Sequence, residues 1–345
     1  MMYIRADANE LIGTGHVMRC LSIAKEARKA GEDVTFIFAD ERTRQLVEQQ
    51  GFSGICLHSV WNDLEQEIEG LTAVIKEHDI DVLLIDSYYV TEAYLCALRR
   101  CVQIAYIDDL HTMIYPVDLL INYNIYASKY SYEEEYRAAG YDTAFLLGCE
   151  YVPLREEFGN VVRAIKKVPD KILITSGGTD KYNVLGHLLA ELKKQLWFEE
   201  FEYYVIVGRF NEHIEELQES YKNDGNVHLL QNISNISDYM KECDIAITAG
   251  GVTTYELCAS GIPSVMYTIA DNQLEVAQTF SENGIIPWVG DVREDMNQCM
   301  VRIMQKITAL KSDVCLREEI SKKMQQMVDG NGSKRIIERY LCKNR

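Results

Sequence analysis

Residues 243–273, CDIAITAGGVTTYELCASGIPSVMYTIADNQ, read as a strand, a glycine pair, a short helix, a second strand and a polar turn. Two short apolar runs joined by a helix pair in parallel, because only a crossover connection returns the chain to the same end of a sheet. Gly250 and Gly251 let the backbone approach a ligand closely, and the helix beginning at Val252 and Thr253 aims free amides and the positive end of its dipole at whatever sits there. A diphosphate fits that position. Glu256 stands one helical turn further in, at the height where a ribose would extend, and a carboxylate can accept both sugar hydroxyls. Taken alone, Glu256 reads as a solvated helix residue. Asn272 and Gln273 offer amides to sugar or phosphate, or serve the turn and the next helix cap.

The same rhythm runs outward in both directions. Toward the C-terminal side of a charged connector at 151–170, residues 171–175 restart as a strand ending in SGGTD, with further strands at 203–207, 227–230, 244–248 and 263–267. Toward the N-terminus, a strand at 2–7 leads through a glycine turn into a helix at 16–30 closed by Gly31. Strands follow at 34–39, 82–85, 102–107 and 119–121, with a helix at 43–50 and helical patterns between most of the others. The fold class expected is α/β: two Rossmann-like lobes facing a cleft, at 1–155 and 170–330. Residues from about 293 to 342 read as helical, and a closing helix at 331–345 is expected to pack back on the first lobe.

A chain of 345 residues fits two such lobes, each able to bury its own core. The 35 Lys and Arg against 53 Asp and Glu give a net charge of −18, which excludes a general nucleic-acid surface and opposes docking to anionic lipid. Any anionic ligand must be held by local means. Ten cysteines without a CxxC pair, no charged-then-apolar leader and no apolar run of membrane-spanning length lead to the expectation of a soluble cytoplasmic protein with reduced thiols.

Residues 12–20, IGTGHVMRC, place Gly13, Thr14 and Gly15 in the turn after the first strand and His16 at the opening of the helix. A dinucleotide fingerprint needs a third glycine where Met18 stands, so NAD is a poor match. A helix N-terminus disfavours protonation of a nearby imidazole, which makes His16 a neutral proton acceptor, or else a residue that caps the helix or packs. Asp108, Asp109 and His111 form a DDxH cluster at a strand end. It lacks a matching second ligand group, so the structural reading is favoured over a metal site. Cys96 and Cys101 lack zinc-ligand spacing, and the acidic stretch 132–136 reads as a solvated helix face.

The glycine pair with its threonine, Glu256 and later Gln273 resembles the donor-nucleotide site of the type B glycosyltransferase fold, especially the N-acetylglucosaminyltransferase of peptidoglycan synthesis. Joined to RADANELIGTGHVMRCLSIA at 5–24, DSYY at 86–89, IDD at 107–109, LREEF at 154–158 and SGGTD at 176–180, it resembles a narrower family. These are the UDP-2,4-diacetamido-2,4,6-trideoxy-β-L-altropyranose hydrolases, which release UDP during pseudaminic acid synthesis. The resemblance covers most of the chain through about Gly284. It implies His16 as general base and Tyr88 as a second active-site residue, with Glu256 and the Gly250–Val252 turn holding UDP. It also implies Asn272 on the sugar side, and Gly178, Asp180 and Asn183 as substrate contacts.

The implied reaction is attack of water at the anomeric carbon on the face opposite UDP, with inversion. Because UDP leaves as a stabilised anion that helix termini can hold, neither a metal nor another cofactor is expected. The expected partner is a small-molecule UDP-sugar, with no nucleic acid and no membrane. Two other readings keep the same nucleotide site: a glycosyltransferase that delivers the sugar to a hydroxyl, and a nucleotide-sugar binding protein without turnover.

Overall fold

The computed structural model of the chain describes residues 1–208, 211–233 and 235–343, so the last two residues of the expected closing helix lie outside the described residues. The chain divides into two compact units, Met1–Glu156 together with the chain from Asn331, and Glu157–Gly330.

The first unit runs β1 (Met2–Ala6), α1 (Gly15–Lys29), β2 (Val34–Phe38), α2 (Arg44–Glu48), β3 (Ser53–Cys56), α3 (Ile68–Glu77), β4 (Val82–Asp86), α4 (Glu92–Leu98), β5 (Gln103–Ile107), β6 (Leu119–Asn122), α5 (Tyr132–Ala138) and β7 (Ala144–Leu147). Its seven strands form one parallel sheet in the order β3-β2-β1-β4-β5-β6-β7. All five residues of β1 are buried, which is why that segment reads as apolar without alternation: a central parallel strand is covered on both faces. Tyr3, Ile37, Leu71, Leu83, Tyr94 and Ile104 belong to the core on one face of the sheet.

The second unit repeats the plan with β8 (Lys171–Thr175), α6 (Val184–Lys193), β9 (Glu202–Val207), α7 (Ile214–Tyr221), β10 (Val227–Gln231), α8 (Ile236–Glu242), β11 (Ile245–Ala249), α9 (Val252–Ser260), β12 (Ser264–Thr268), α10 (Leu274–Glu282) and β13 (Trp288–Asp291). Its parallel sheet has the order β10-β9-β8-β11-β12-β13. Two long helices, α11 (Val292–Ser312) and α12 (Val314–Met327), complete it, and α12 packs on α9. The last helix, α13 (Gly332–Lys343), returns to the first unit, where it lies along α1 and the Tyr340 hydroxyl donates to the carbonyl of Val82 at 3.1 Å.

In each sheet the order reverses once, at β1/β4 and at β8/β11. Loops leaving the carboxyl ends of strands at such a reversal splay apart and leave a crevice, the usual ligand site of open α/β sheets. The residues singled out in the sequence fall on these loops or on those of neighbouring strands. The acidic stretch within α5 is only half as expected: Glu133 and Glu134 are exposed, whereas Tyr132 and Tyr136 are buried in the core. The edge strands β3, β7 and β13 and the helix α3 lie outside the segments named from the sequence.

Candidate functional site

At the end of β1 the RAD motif is a clamp. Arg5 is fully buried and donates from Nε and Nη2 to the two Glu67 oxygens, each at 2.7 Å, and from Nη1 to Asp7 Oδ2 at 2.5 Å. Tyr94 and Ser59 donate to the same Glu67 carboxylate, and Asp7 Oδ1 accepts the Ala39 amide at 2.8 Å. Buried charges persist only when paired and hydrogen-bonded, and here the pairing fixes the path by which the chain leaves the sheet. Asn9 shapes the glycine turn: its side-chain oxygen accepts the amides of Leu11 and Ile12, and its own backbone amide donates to the carbonyl of Gly13. Gly13 sits at φ +70°, where a side chain would be strained.

The turn delivers His16 as the second residue of α1, buried, with its ring edge-on to Tyr88 from the loop after β4. Burial lowers the His16 pKa, the Arg19 charge lowers it further, and the carboxylates of Asp86, Asp109 and Asp7 pull the other way without prevailing. The imidazole is therefore neutral, with burial as the leading cause. One turn along the same helix face, Arg19 donates to Asp86 from Nε at 2.6 Å and to Asp109 and Tyr123 from Nη1 at 2.7 and 2.5 Å. Burial pushes the Asp86 carboxyl up, but the Arg19 guanidinium overrides it and holds Asp86 below the usual carboxylate range. Tyr88 donates to Asp109 Oδ2 at 3.2 Å. Burial, and then the Asp109 charge, push its phenol up, so Tyr88 remains a proton donor. A neutral base thus stands beside Asp86 and Asp109, two acids that share one guanidinium and that partly offset the cost of protonating the buried imidazole.

The DDxH cluster divides into two functions. Asp108 is buried and accepts the amides of Leu110 and His111 at 3.0 and 2.9 Å, as expected of a turn carboxylate. Asp109, by contrast, belongs to the Arg19 network. His111 stacks on Tyr130 with ring centroids 3.8 Å apart. Arg19, Asp86, Asp109 and Tyr123 are the residues that sequence reasoning missed as a group. Arg19, Asp86 and Asp109 lie within the motifs at 13–19, 86–89 and 107–109, but the Arg19–Asp86 pairing spans 67 residues.

In the second unit Gly250 and Gly251 lie between β11 and α9. A Cβ at Gly250 would meet Gln273 Cβ at 3.3 Å and Met266 Sδ at 3.4 Å, whereas one at Gly251 would meet nothing within 4 Å. Gly250 therefore answers to packing, while Gly251 leaves the backbone open on its outer side. Gly251 donates to the Thr254 hydroxyl at 3.3 Å, and Val252 is exposed at the first turn of α9 with Thr253 partly buried beside it. Glu256 is buried, contrary to the solvated reading, because α9 is enclosed from Thr254 to Ser260. On the neighbouring β8 loop the buried Ser176 hydroxyl has no hydrogen-bond partner, and Gly177 and Gly178 are exposed.

Asp180 and Asn183 are engaged with α6. Asp180 is buried and accepts the amides of Val184 and Leu185 at 2.8 and 3.1 Å, and Asn183, in the left-handed region, accepts the amide of Gly186 at 3.3 Å. Gln273 closes its own turn by accepting the Ile269 amide at 2.9 Å, while Asn272 is exposed. Cys96 and Cys101 are free thiols. Among the described residues no helix is long and apolar enough to cross a membrane.

Residues 172–329 match the glycosyltransferase family 28 C-terminal domain. The chain is 28% identical over 289 residues to an uncharacterized protein of Methanocaldococcus jannaschii, a match that takes in 79% of this chain and only 56% of that protein's length. It is 25% identical over 284 residues to the UDP-2,4-diacetamido-2,4,6-trideoxy-beta-L-altropyranose hydrolase of Campylobacter jejuni, covering 81% of this chain and 96% of the relative. Among solved structures, MurG of Acinetobacter baumannii superposes with a TM-score of 0.71 at 16% identity, covering 98% of each chain. The two parallel α/β units with their closing helices are the type B glycosyltransferase fold.

Proposed function

We propose that this chain is a UDP-sugar-processing enzyme, and that its reaction is hydrolysis of a UDP-linked diacetamido-trideoxy sugar, UDP-2,4-diacetamido-2,4,6-trideoxy-β-L-altropyranose. Water attacks the anomeric carbon, the bond from that carbon to the diphosphate oxygen breaks, and its electron pair leaves with UDP. His16 takes the water proton, and the free sugar is released with inverted configuration. The observation that carries the reading is the environment of His16, an imidazole kept neutral by burial with the carboxylates of Asp86 and Asp109 partly offsetting the cost of its protonation. Likeness to the Campylobacter hydrolase supports the choice of substrate.

The second unit holds UDP at its sheet reversal. Backbone amides at Val252 and Thr253 and the positive end of α9 meet the diphosphate where Gly251 leaves the backbone open, and Glu256 accepts the ribose hydroxyls. The unpartnered Ser176 hydroxyl and the open backbone at Gly178 supply further donors on the β8 loop. Asn272 contacts the sugar, and Asp180 and Asn183 act by shaping that loop. With the departing charge met by these groups, the chain's own residues suffice for the step, without a metal or another cofactor.

The match of residues 172–329 to a glycosyltransferase domain favours a second reading, transfer of the sugar to a hydroxyl acceptor. Incubating the purified chain with a panel of UDP-sugars while following the anomeric proton by NMR distinguishes the two. Hydrolysis predicts consumption of the diacetamido-trideoxy sugar in buffer alone, with the opposite anomer appearing first. Turnover only after addition of an acceptor would establish transfer, and binding without UDP release would leave a non-catalytic protein.

A further inference from the structure

We propose that the exit of the edge strand β3 is a divalent-metal site built from Glu41, Cys56 and His58, with the thiophilic character of zinc. The three side chains bring a carboxylate oxygen, a thiol sulfur and an imidazole nitrogen within 4.8 Å of one another, the one such grouping among the described residues. Cys56 ends β3 and His58 stands two residues later, where a left-handed turn of the backbone swings the imidazole back against the thiol. Glu41 comes from the turn before α2, so the site joins two segments that local sequence does not bring together.

The geometry fits a tetrahedral ion. A zinc–sulfur bond of about 2.3 Å and a zinc–nitrogen bond of about 2.0 Å at a tetrahedral angle set sulfur and nitrogen about 3.5 Å apart. Cys56 Sγ and His58 Nδ1 are separated by 3.5 Å. Without metal the same spacing serves a thiol–imidazole hydrogen bond, and the thiol proton is what a cation would displace to solvent. His58 adopts φ +53°, a left-handed conformation that a residue with a side chain rarely takes and that a ligand would hold in place. Mixed sulfur, nitrogen and oxygen donors select zinc or cobalt over magnesium or calcium. Three protein ligands leave a fourth position open to water. Arg44 is the competitor: its guanidinium pairs with the Glu41 carboxylate, so a metal must share that group.

The site is separate from the His16 network, and its test does not depend on turnover. Metal-stripped full-length protein is titrated with cobalt(II), and the thiolate-to-cobalt charge-transfer absorption is followed in the near ultraviolet. The expected result is a saturable band reversed by zinc, absent in Cys56→Ser and weakened in His58→Ala and Glu41→Gln, with circular dichroism unchanged. Arg44→Gln should tighten cobalt binding by freeing Glu41. No band in the wild-type protein, or a band that survives in Cys56→Ser, overturns the site. Unaltered affinity in Arg44→Gln together with Glu41→Gln removes Glu41 and overturns the three-ligand assignment.

Discussion

The imidazole of His16 meets the ring of Tyr88 edge-on, with centroids 4.3 Å apart and planes at 83°. Tyr88 is tied to Asp109, Asp109 to Arg19, and Arg19 to Asp86. The ring that packs against the imidazole is thereby held by a chain of hydrogen bonds that begins one helical turn further along α1.

Replacing His16 with Ala should lower kcat by roughly 100- to 10,000-fold, the range of general-base assistance, or about 3 to 5 kcal/mol of barrier. Calorimetric titration should give an unchanged Kd for UDP, because the nucleotide is assigned to the other unit. Loss of UDP binding with turnover intact would reverse the assignment.

The pH profile carries a definite sign. A general base works in its neutral form, and the His16 pKa lies below the ordinary value of about 6.5. The acid limb of kcat/KM should therefore fall below that value, with a plateau through pH 7. Asp86 raises the His16 pKa and Arg19 lowers it, so Asp86→Asn should move the limb to still lower pH. A limb moving upward would show that the two side chains are not coupled in this way.

Arg5→Met should destabilise the first unit by about 3 to 5 kcal/mol in urea unfolding, the cost of leaving a buried charge without its partner. Arg5 and Glu67 are both fully buried at the side chain, so solvent does not screen the loss. A change below 1 kcal/mol, as is common for exposed pairs, would contradict the clamp.

The two glycines before α9 should separate cleanly. Gly250→Ala crowds Gln273 and Met266 and should cost about 1 to 3 kcal/mol of stability. Gly251→Ala finds open space at an extended φ of −160° and should leave unfolding unchanged while weakening UDP binding. Equal affinity in Gly251→Ala and wild type would remove the diphosphate from that turn.

Much of the architecture was legible because parallel strands at the centre of a sheet are apolar throughout and their turns carry glycine. The strands that escaped, Ser53–Cys56, Ala144–Leu147 and Trp288–Asp291, lie at sheet edges, are four residues long and are only partly buried, so they present no continuous apolar run. Taken alone, a glutamate in a helix reads as solvated, and only the motif around Glu256 points to a ligand; the structure buries it. It is buried because α9 is enclosed from Thr254 to Ser260, with α8, β11 and α12 all packing on that helix, α12 from far along the sequence. Asp180 and Asn183 are expected at substrate from the resemblance, and the structure shows both accepting amides at the start of α6, a capping role that the left-handed and N-cap preferences of Asp and Asn also allow. Arg19 was visible three residues after His16, yet its partners on β4 and after β5 become apparent only once the sheet is assembled.

Hydrolysis in water enriched in oxygen-18, with mass spectrometry of both products, tests the central claim most directly. Attack by water at the anomeric carbon predicts the label in the released sugar and none in UDP. Label in the nucleotide would mean that a phosphorus–oxygen bond breaks instead, and label in neither product, with the UDP-sugar intact, would mean that the chain binds without catalysis.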